Sequence, residues 1–326
     1  MYRMHGNLVT GLDMGILELI EKHELKRLSE KSDLLAIWMT VANFALIAIG
    51  FAIPIYCQHW LAWCVAAALL GGRALGLGIL VHDSAHQTLF SSRGFNEWAG
   101  QWLFGGLPNV PYHAYRQGHL THHRHAGTEA DPDLAFVDGY PASAASLARK
   151  FLRDASGLNG LKHIAYQITT FKLASQAPFL VSHGVLIGLL RAAGHAEVYF
   201  CWWLGQIFVF PLVLRLRVMG EHGGVSDHLH PDPRRNTGTT LAGPVARLLW
   251  APNFVNFHLE HHFAAGVPSY RLKEMHRLMV SRGCYEGWDC IQPSYAAVFK
   301  RCWSKTSLNK PPGFKRRARG ALNNMQ

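Results

Sequence analysis

The sequence is short of charge. Asp, Glu, Lys and Arg make up 16% of its 326 residues, well under the roughly 25% usual for a soluble globular domain. That argues against a chain solvated on every side. Acid is the scarcer sign: 21 Asp and Glu stand against 32 Lys and Arg, a formal net charge of +11. A basic surplus fits nucleic acid, anionic lipid or the cytoplasmic loops of a membrane protein. The 49% of hydrophobic residues points to the last two, and no nucleic-acid partner is expected. Cys57, Cys64, Cys201, Cys284, Cys290 and Cys302 form no CxxC pair. They suit neither a zinc or iron–sulfur motif nor a disulfide framework, and are expected to be reduced, mostly buried thiols. No short apolar run with a cleavage site precedes the first long apolar segment, so no cleavable signal peptide is expected. Internal repeats and low-complexity segments are lacking too.

Long apolar runs are present instead. "LLAIWMTVANFALIAIGFAIPIY" (34–56) is uncharged and, at ~1.5 Å per helical residue, long enough to cross a hydrocarbon core of ~30 Å. "LAWCVAAALLGGRALGLGILV" (61–81) is interrupted only by Arg73, and the connector "CQHW" makes the two a tight hairpin. "LASQAPFLVSHGVLIGLL" (173–190) and "VYFCWWLGQIFVFPLVL" (198–214) form a second pair, although the former contains Pro178 and His183. "WAGQWLFGGLPNVPY" (98–112) is apolar but too short to cross, and reads as re-entrant or interfacial. Residues 15–31 form an amphipathic helix, suited to a membrane surface or to packing on protein.

The expected fold is therefore an all-α polytopic membrane protein. Four transmembrane helices form two hairpins, with a helical cap on one side. Residues 1–33 are read as an N-terminal amphipathic segment, 34–285 as the membrane domain and 286–326 as a basic tail. Arg3, Lys22, Lys26, Arg27 and Lys31 precede the first run. Lys300, Arg301, Lys305, Lys310, Lys315, Arg316, Arg317 and Arg319 follow the last, while the two short connectors hold only Arg191 as a cation. By the positive-inside rule both termini and the cap are cytoplasmic, with a bacterial inner membrane the expected location.

Histidines gather just past the apolar segments, all on that side: "HDSAH" (82–86), "GHLTHH" (118–123), "GEHGG" (220–224) and "NFHLEHHF" (256–263). Helical residues three and four apart share a face, so His82 projects with His86, His119 with His122 and His123, and His258 with His261 and His262. Imidazole is a common transition-metal ligand. With His222 there are nine such nitrogens, too many for the four positions of tetrahedral zinc, and two ions of higher coordination number fit better. One HxxxH alone is weak evidence, and a zinc-protease HExxH needs Glu where Asp83 stands. A non-catalytic metal-binding protein or transporter is the rival of another class. A transporter places its ligands near the bilayer midplane, not at the ends of spans.

The boxes "HDSAH", "HLTHH" and "HLEHH", with "HHRHAGTEADPD" and "FVNFHLEHHFAAGVPSYRL", resemble the integral-membrane fatty acid desaturases and hydroxylases, of bacterial type, over roughly residues 35–285. The resemblance implies two iron ions at the cytosolic ends of four spans. Their ligands would be His82, His86, His119, His122, His123, His258, His261 and His262, with His222 matching the family's extra histidine. It also implies O2-dependent desaturation of a lipid or fatty acyl chain. Alternatives within the superfamily are a hydroxylase or ketolase, acting on lipid or carotenoid, and a desaturase of a small molecule of the rhizobitoxine type. Acyl-CoA desaturases carry a metal-facing asparagine four residues before the extra histidine; here that place is Val218. No HPGG haem motif and no iron–sulfur cysteine spacing is present. The electron donor is then external, a ferredoxin or a cytochrome b5-like protein with its reductase.

Metal-bound histidines usually give their other N–H to a carboxylate or carbonyl. Asp83, Glu221, Glu260, Asp131, Asp133 and His125 are the candidates nearby, and no catalytic residue beyond the ligands is expected. His113, His228, His230 and His276 read as ordinary surface or core histidines. Arg73 lies nine positions before His82, ~13 Å deeper along a helix. It is a candidate for touching a substrate carbonyl or buried acid, against a structural arginine satisfied by backbone carbonyls or water.

Overall fold

The structure, a computed structural model, describes residues 12–304. Arg3 and the tail cations Lys305, Lys310, Lys315, Arg316, Arg317 and Arg319 lie outside the described residues. Four helices are long and apolar enough to cross a membrane: Asp33–Tyr56, Trp60–Ala85, Leu173–Ala192 and Ala196–Gly223. They are called the first to fourth spans below. Ser32 opens the first by accepting from the Leu35 amide, as an N-cap serine does. Three-residue connectors close both hairpins, Cys57–His59 and Ala193–His195.

The second span is the central one. Within its most apolar stretch 78% of residues are buried, against 33% or less in each of the others. Its glycines explain this. A Cβ on Gly71 would come within 2.9 Å of the Gly205 carbonyl of the fourth span, and one on Gly72 within 2.9 Å of Leu249 Cα. Outer spans turn Ile37, Trp38, Val41, Leu180, Val185 and Leu189 outward, as a lipid-facing surface requires.

Two spans run further than hydropathy suggests. The second continues to Ala85, with His86 as its C-cap. The fourth is expected to stop at Leu214 but continues through His222, because Arg215 and Arg217 are paired with Asp154 and Glu221. A cation paired within the helix bundle ends an apolar run without ending the helix. Two π-helical turns, Gly205–Val209 and Met219–Gly223, interrupt the fourth span, and the second of them carries Glu221 and His222. Such bulges rotate the residues beyond them and are frequent at functional sites.

The short apolar segment is bent and packs beside the second and third spans. Arg93–Trp98 leads into a π-helical turn, Ala99–Phe104, and then a bend before Tyr112–His125. Gly106 sits in a notch of the third span, where a Cβ would be 2.8 Å from the Pro178 carbonyl. His183 Nε2 reaches the Leu107 carbonyl at 3.1 Å while its Nδ1 faces Tyr199 Oη at 2.7 Å. The two irregular residues of the third span thus both serve the re-entrant bend.

On the side of the box helices, Tyr112–His125, His258–Phe263 and Ser269–Ser281 build the cap. The N-terminal amphipathic segment forms Leu12–Leu19 and Lys22–Leu28 and packs on protein, burying Ile16, Ile20 and Leu28 against Phe257, Leu272 and Met275. The only strands among the described residues are two-residue parallel ribbons. Ala142–Ser143 pairs with Trp303–Ser304, and Thr239–Thr240 with Ile291–Gln292.

Candidate metal centre

The nine histidines converge into two groups. His82, His86, His119, His123 and His261 form one; His122, His222, His258 and His262 form the other. Within each group every residue offers a ligand atom within 4.8 Å of all the rest. The third box is split, His261 going to the first group and His258 and His262 to the second, because successive helical residues point about 100° apart. His123 and His262 stack across the boundary with ring centroids 4.4 Å apart.

The donor geometry fits bound cations. Nε2 faces Nε2 at 2.8 Å for His86 and His119, and at 3.0 Å for both His123–His261 and His222–His258. His262 Nε2 lies 3.4 Å from that of His122 and 3.2 Å from that of His258. Two imidazole nitrogens at right angles on one ion, each about 2.1 Å from it, stand about 3.0 Å apart. Several of the rings have their other nitrogen already committed. His122 Nδ1 is 2.8 Å from Asp131 Oδ1, His82 Nδ1 is 2.8 Å from Asp83 Oδ1, and His222 Nδ1 is 3.0 Å from the Asn236 carbonyl. Giving the Nδ1 proton to these oxygens leaves the Nε2 of His82, His122 and His222 as a lone pair able to ligate a cation. The buried Nε2 of His82 has no hydrogen-bond partner.

Protonation follows the same logic. Burial first, and then the neighbouring imidazoles, hold His119, His123, His258, His261 and His262 well below the usual histidine range. His86 is pushed down to about 3 by burial and by Arg116 and His122. Neutral imidazole is the form that ligates. His122 is the exception: burial lowers it, but the hydrogen bond to Asp131 and the charges of Asp131, Asp133 and Glu221 outweigh burial and raise it.

The carboxylates expected to support the ligands divide. Asp83 bridges His82 and Ser269 Oγ, and Asp131 serves His122, with Asp133 Oδ2 farther off at 3.7 Å. Glu221 accepts from Arg217 Nε at 2.7 Å and lies 3.6 Å from His258 Nδ1. Glu260 bonds none of the nine; it is buried among Thr239, Tyr285 and His276, whose Nδ1 is 2.6 Å away. His276, expected to be ordinary, is therefore part of the support beneath the third box. The His125 side chain has no hydrogen bond to the centre, its carbonyl accepting from Thr128. His113 is exposed and His230 caps a loop turn at the Asp232 amide.

Sequence reading missed Arg217, Tyr115 and Ser269. Spacing offered a signal for two of them. Arg217 lies four residues before Glu221, and Tyr115 lies four before His119, on which it stacks at 5.5 Å. Ser269 and the Asn236 carbonyl gave no signal.

A cavity of about 480 Å³ opens onto the centre. His119, His122, His222 and His258 line it, and Leu134, Phe136, Val137, Phe210 and Leu214 supply an apolar wall. Val218, one turn before His222, also lines it, so a hydrocarbon surface stands where acyl-CoA desaturases have an amide. His228 reaches this space with a buried Nε2 that lacks a partner. Arg73 lines no part of it.

Replacing Asp131 with Asn removes the charge that holds the His122 ring. The expected result is a loss of about 10–100-fold in metal affinity or activity, read by titrating iron(II) into the metal-free protein. Unchanged affinity would show that Asp131 only caps its loop.

Comparison with known proteins agrees with this arrangement. The sequence pattern of the fatty acid desaturase family matches residues 58–293. The dihydrorhizobitoxine desaturase of Bradyrhizobium elkanii is 26% identical over 298 residues, 83% of this chain and 79% of that protein. A beta-carotene ketolase of Paracoccus sp. (strain PC1) is 30% identical over 251 residues, 73% of this chain and 87% of the other. An sn-1 acyl-lipid omega-3 desaturase (ferredoxin) of Nostoc sp. (strain 36) is 23% identical over 259 residues, 71% and 70%.

Proposed function

This chain belongs to the fatty acid desaturase family, and from that premise we propose that it is a membrane-bound, O2-dependent desaturase of a lipid or fatty acyl chain. The observation that carries the reading is the pair of imidazole clusters at one end of four spans, open to a cavity with an apolar wall. The two clusters are assigned one iron each. Bound iron would supply the oxidising power, drawn from dioxygen, that no side chain possesses.

The chain's own residues position and shield. Leu134, Phe136, Val137, Phe210 and Leu214 hold an alkyl segment beside the histidines that line the cavity, where proximity and orientation select the carbon. Asp83, Asp131 and the Asn236 carbonyl hold the imidazoles in one tautomer. The balance is one CH2–CH2 unit, O2, two electrons and two protons giving CH=CH and two waters. The electrons come from an external ferredoxin or cytochrome b5-like donor docking on the cap, whose cytoplasmic orientation the Lys/Arg bias of the loops supports; a bacterial inner membrane is the proposed location.

One feature of the cavity favours a second reading. Its wall includes the Arg215–Asp154 ion pair, which suits a substrate with an ionised head, and one relative is named for dihydrorhizobitoxine, not for a lipid. Mass spectrometry of lipids and small metabolites from expressing cells, beside a His122→Ala control, separates the readings. An acyl species two hydrogens poorer, lost in the control, is expected. A new polar small molecule would support the second reading, and an alcohol or ketone would overturn desaturation.

A further inference from the structure

Arg73 is buried in the middle of the second span, 3% exposed, yet it touches neither the cavity nor, among the described residues, any carboxylate. Its Nη1 donates to Asn43 Oδ1 of the first span at 3.0 Å, and its Nη2 donates to the Leu248 carbonyl. Asn43 Nδ2 in turn donates to Asn253 Oδ1 at 2.9 Å, and Asn253 Nδ2 donates to the Gly76 carbonyl at 2.8 Å. Leu248 and Asn253 belong to the segment that leads into the third histidine box at His258.

We propose that Arg73, Asn43 and Asn253 form a positioning clamp that sets the register of the third histidine box against the first. Three features make it a clamp. A guanidinium within a span depends on protein partners; the hydrogen bonds of Arg73 go to Asn43 and the Leu248 carbonyl, and its Nε is buried without a partner, so withdrawal of the loop leaves the charge with Asn43 alone. Asn253 and Phe254 both have positive φ, 54° and 63°, a conformation that persists in non-glycine residues only where surroundings impose it. The Asn253 amide uses both its ends to impose it here. Gly76 makes the fit possible, since a Cβ there would collide with Asn43 Oδ1.

The consequence is unequal for the two metal sites. The third box contributes His258 and His262, half of one four-histidine group, but only His261 of the five in the other. A slipped box therefore empties the first of these and spares the second. The inference rests on the two-ion reading, and iron(II) counting tests both.

The full chain, purified in detergent and loaded anaerobically with iron(II) alone, is expected to hold two ions, one per group. Arg73→Leu is expected to fall to about one with helical circular dichroism unchanged. Arg73→Lys, which keeps a donor for Leu248, is expected to regain most of the second. Adding His86→Ala to Arg73→Leu removes the remaining ion, whereas adding His262→Ala does not. Should Arg73→Leu fail to fold, Asn253→Gly carries the test with the same expectations, because glycine keeps the positive φ and removes only the amide. Two ions in a folded variant, or loss of both, overturns the clamp while leaving the two-ion reading standing. No iron in the wild type overturns both.

Discussion

Replacing His262 with alanine is expected to lower turnover by more than the ~100-fold upper end for losing a supporting partner and, on the proposed two-iron centre, to lower bound iron from two ions per chain to about one. His262 is the corner of its group. Its Nε2 lies within 3.4 Å of His122 and 3.2 Å of His258, so two of the three other donors lose a neighbour on the proposed shared ion at once. It also stacks on His123 of the other group at 4.4 Å. The loss therefore disturbs the packing of a candidate ligand in the five-histidine group as well as removing one from the four-histidine group. His125→Ala is the control, since that imidazole stands only three residues from His122 yet bonds nothing in the centre. Elemental analysis and a product assay on the two variants decide the matter. Equal losses would mean that a general disturbance of the histidine-rich helix, and not ligation, sets activity.

The largest stability effect is expected at Arg215. Asp154 is 1% exposed and ends the amphipathic helix Ala144–Ala155; it receives two bonds from Arg215, and Arg215 Nη1 also reaches Tyr140 Oη at 3.4 Å. Arg215→Met leaves the carboxylate buried with Asn159 as its remaining side-chain partner. Removing one partner of a buried pair costs about 3–5 kcal/mol, and thermal unfolding in detergent should show it as a clear drop in Tm. Asp154→Leu combined with Arg215→Met should recover most of that loss, because the penalty comes from the stranded charge. If the double variant is as unstable as the single, lost packing along the fourth span, not the unpaired carboxylate, is responsible.

The parts of this protein that were legible in its sequence are those written in local periodicity. Runs of apolar residues long enough to span, with short connectors, define two hairpins whatever else the chain does. Histidines three and four apart on short helices share a face, and they fall at the same ends of the spans. Asp83 and Asp131 were readable for the same reason, being close in sequence to the rings they hold.

The remainder was decided by segments distant in sequence meeting in space. Hydropathy stopped the fourth span at Leu214 because a charge in isolation ends an apolar run; only its pairing with Asp154, 61 residues away, lets the helix reach His222. Helical spacing separates His261 from its neighbours in the third box, but which histidines of the other boxes join it, the five and the four, follows from helix packing and the π turn that carries His222. His276 looked ordinary until the fold laid it on Glu260. Arg73 stood as an unexplained charge because its partners, Asn43 and the Leu248 carbonyl, lie 30 and 175 residues from it. The sequence alone determined that this chain spans a membrane and gathers imidazoles at one face of it. The tertiary structure decided which imidazoles cluster together and what holds them there, because backbone carbonyls, buried ion pairs and a cavity exist only once distant segments pack together.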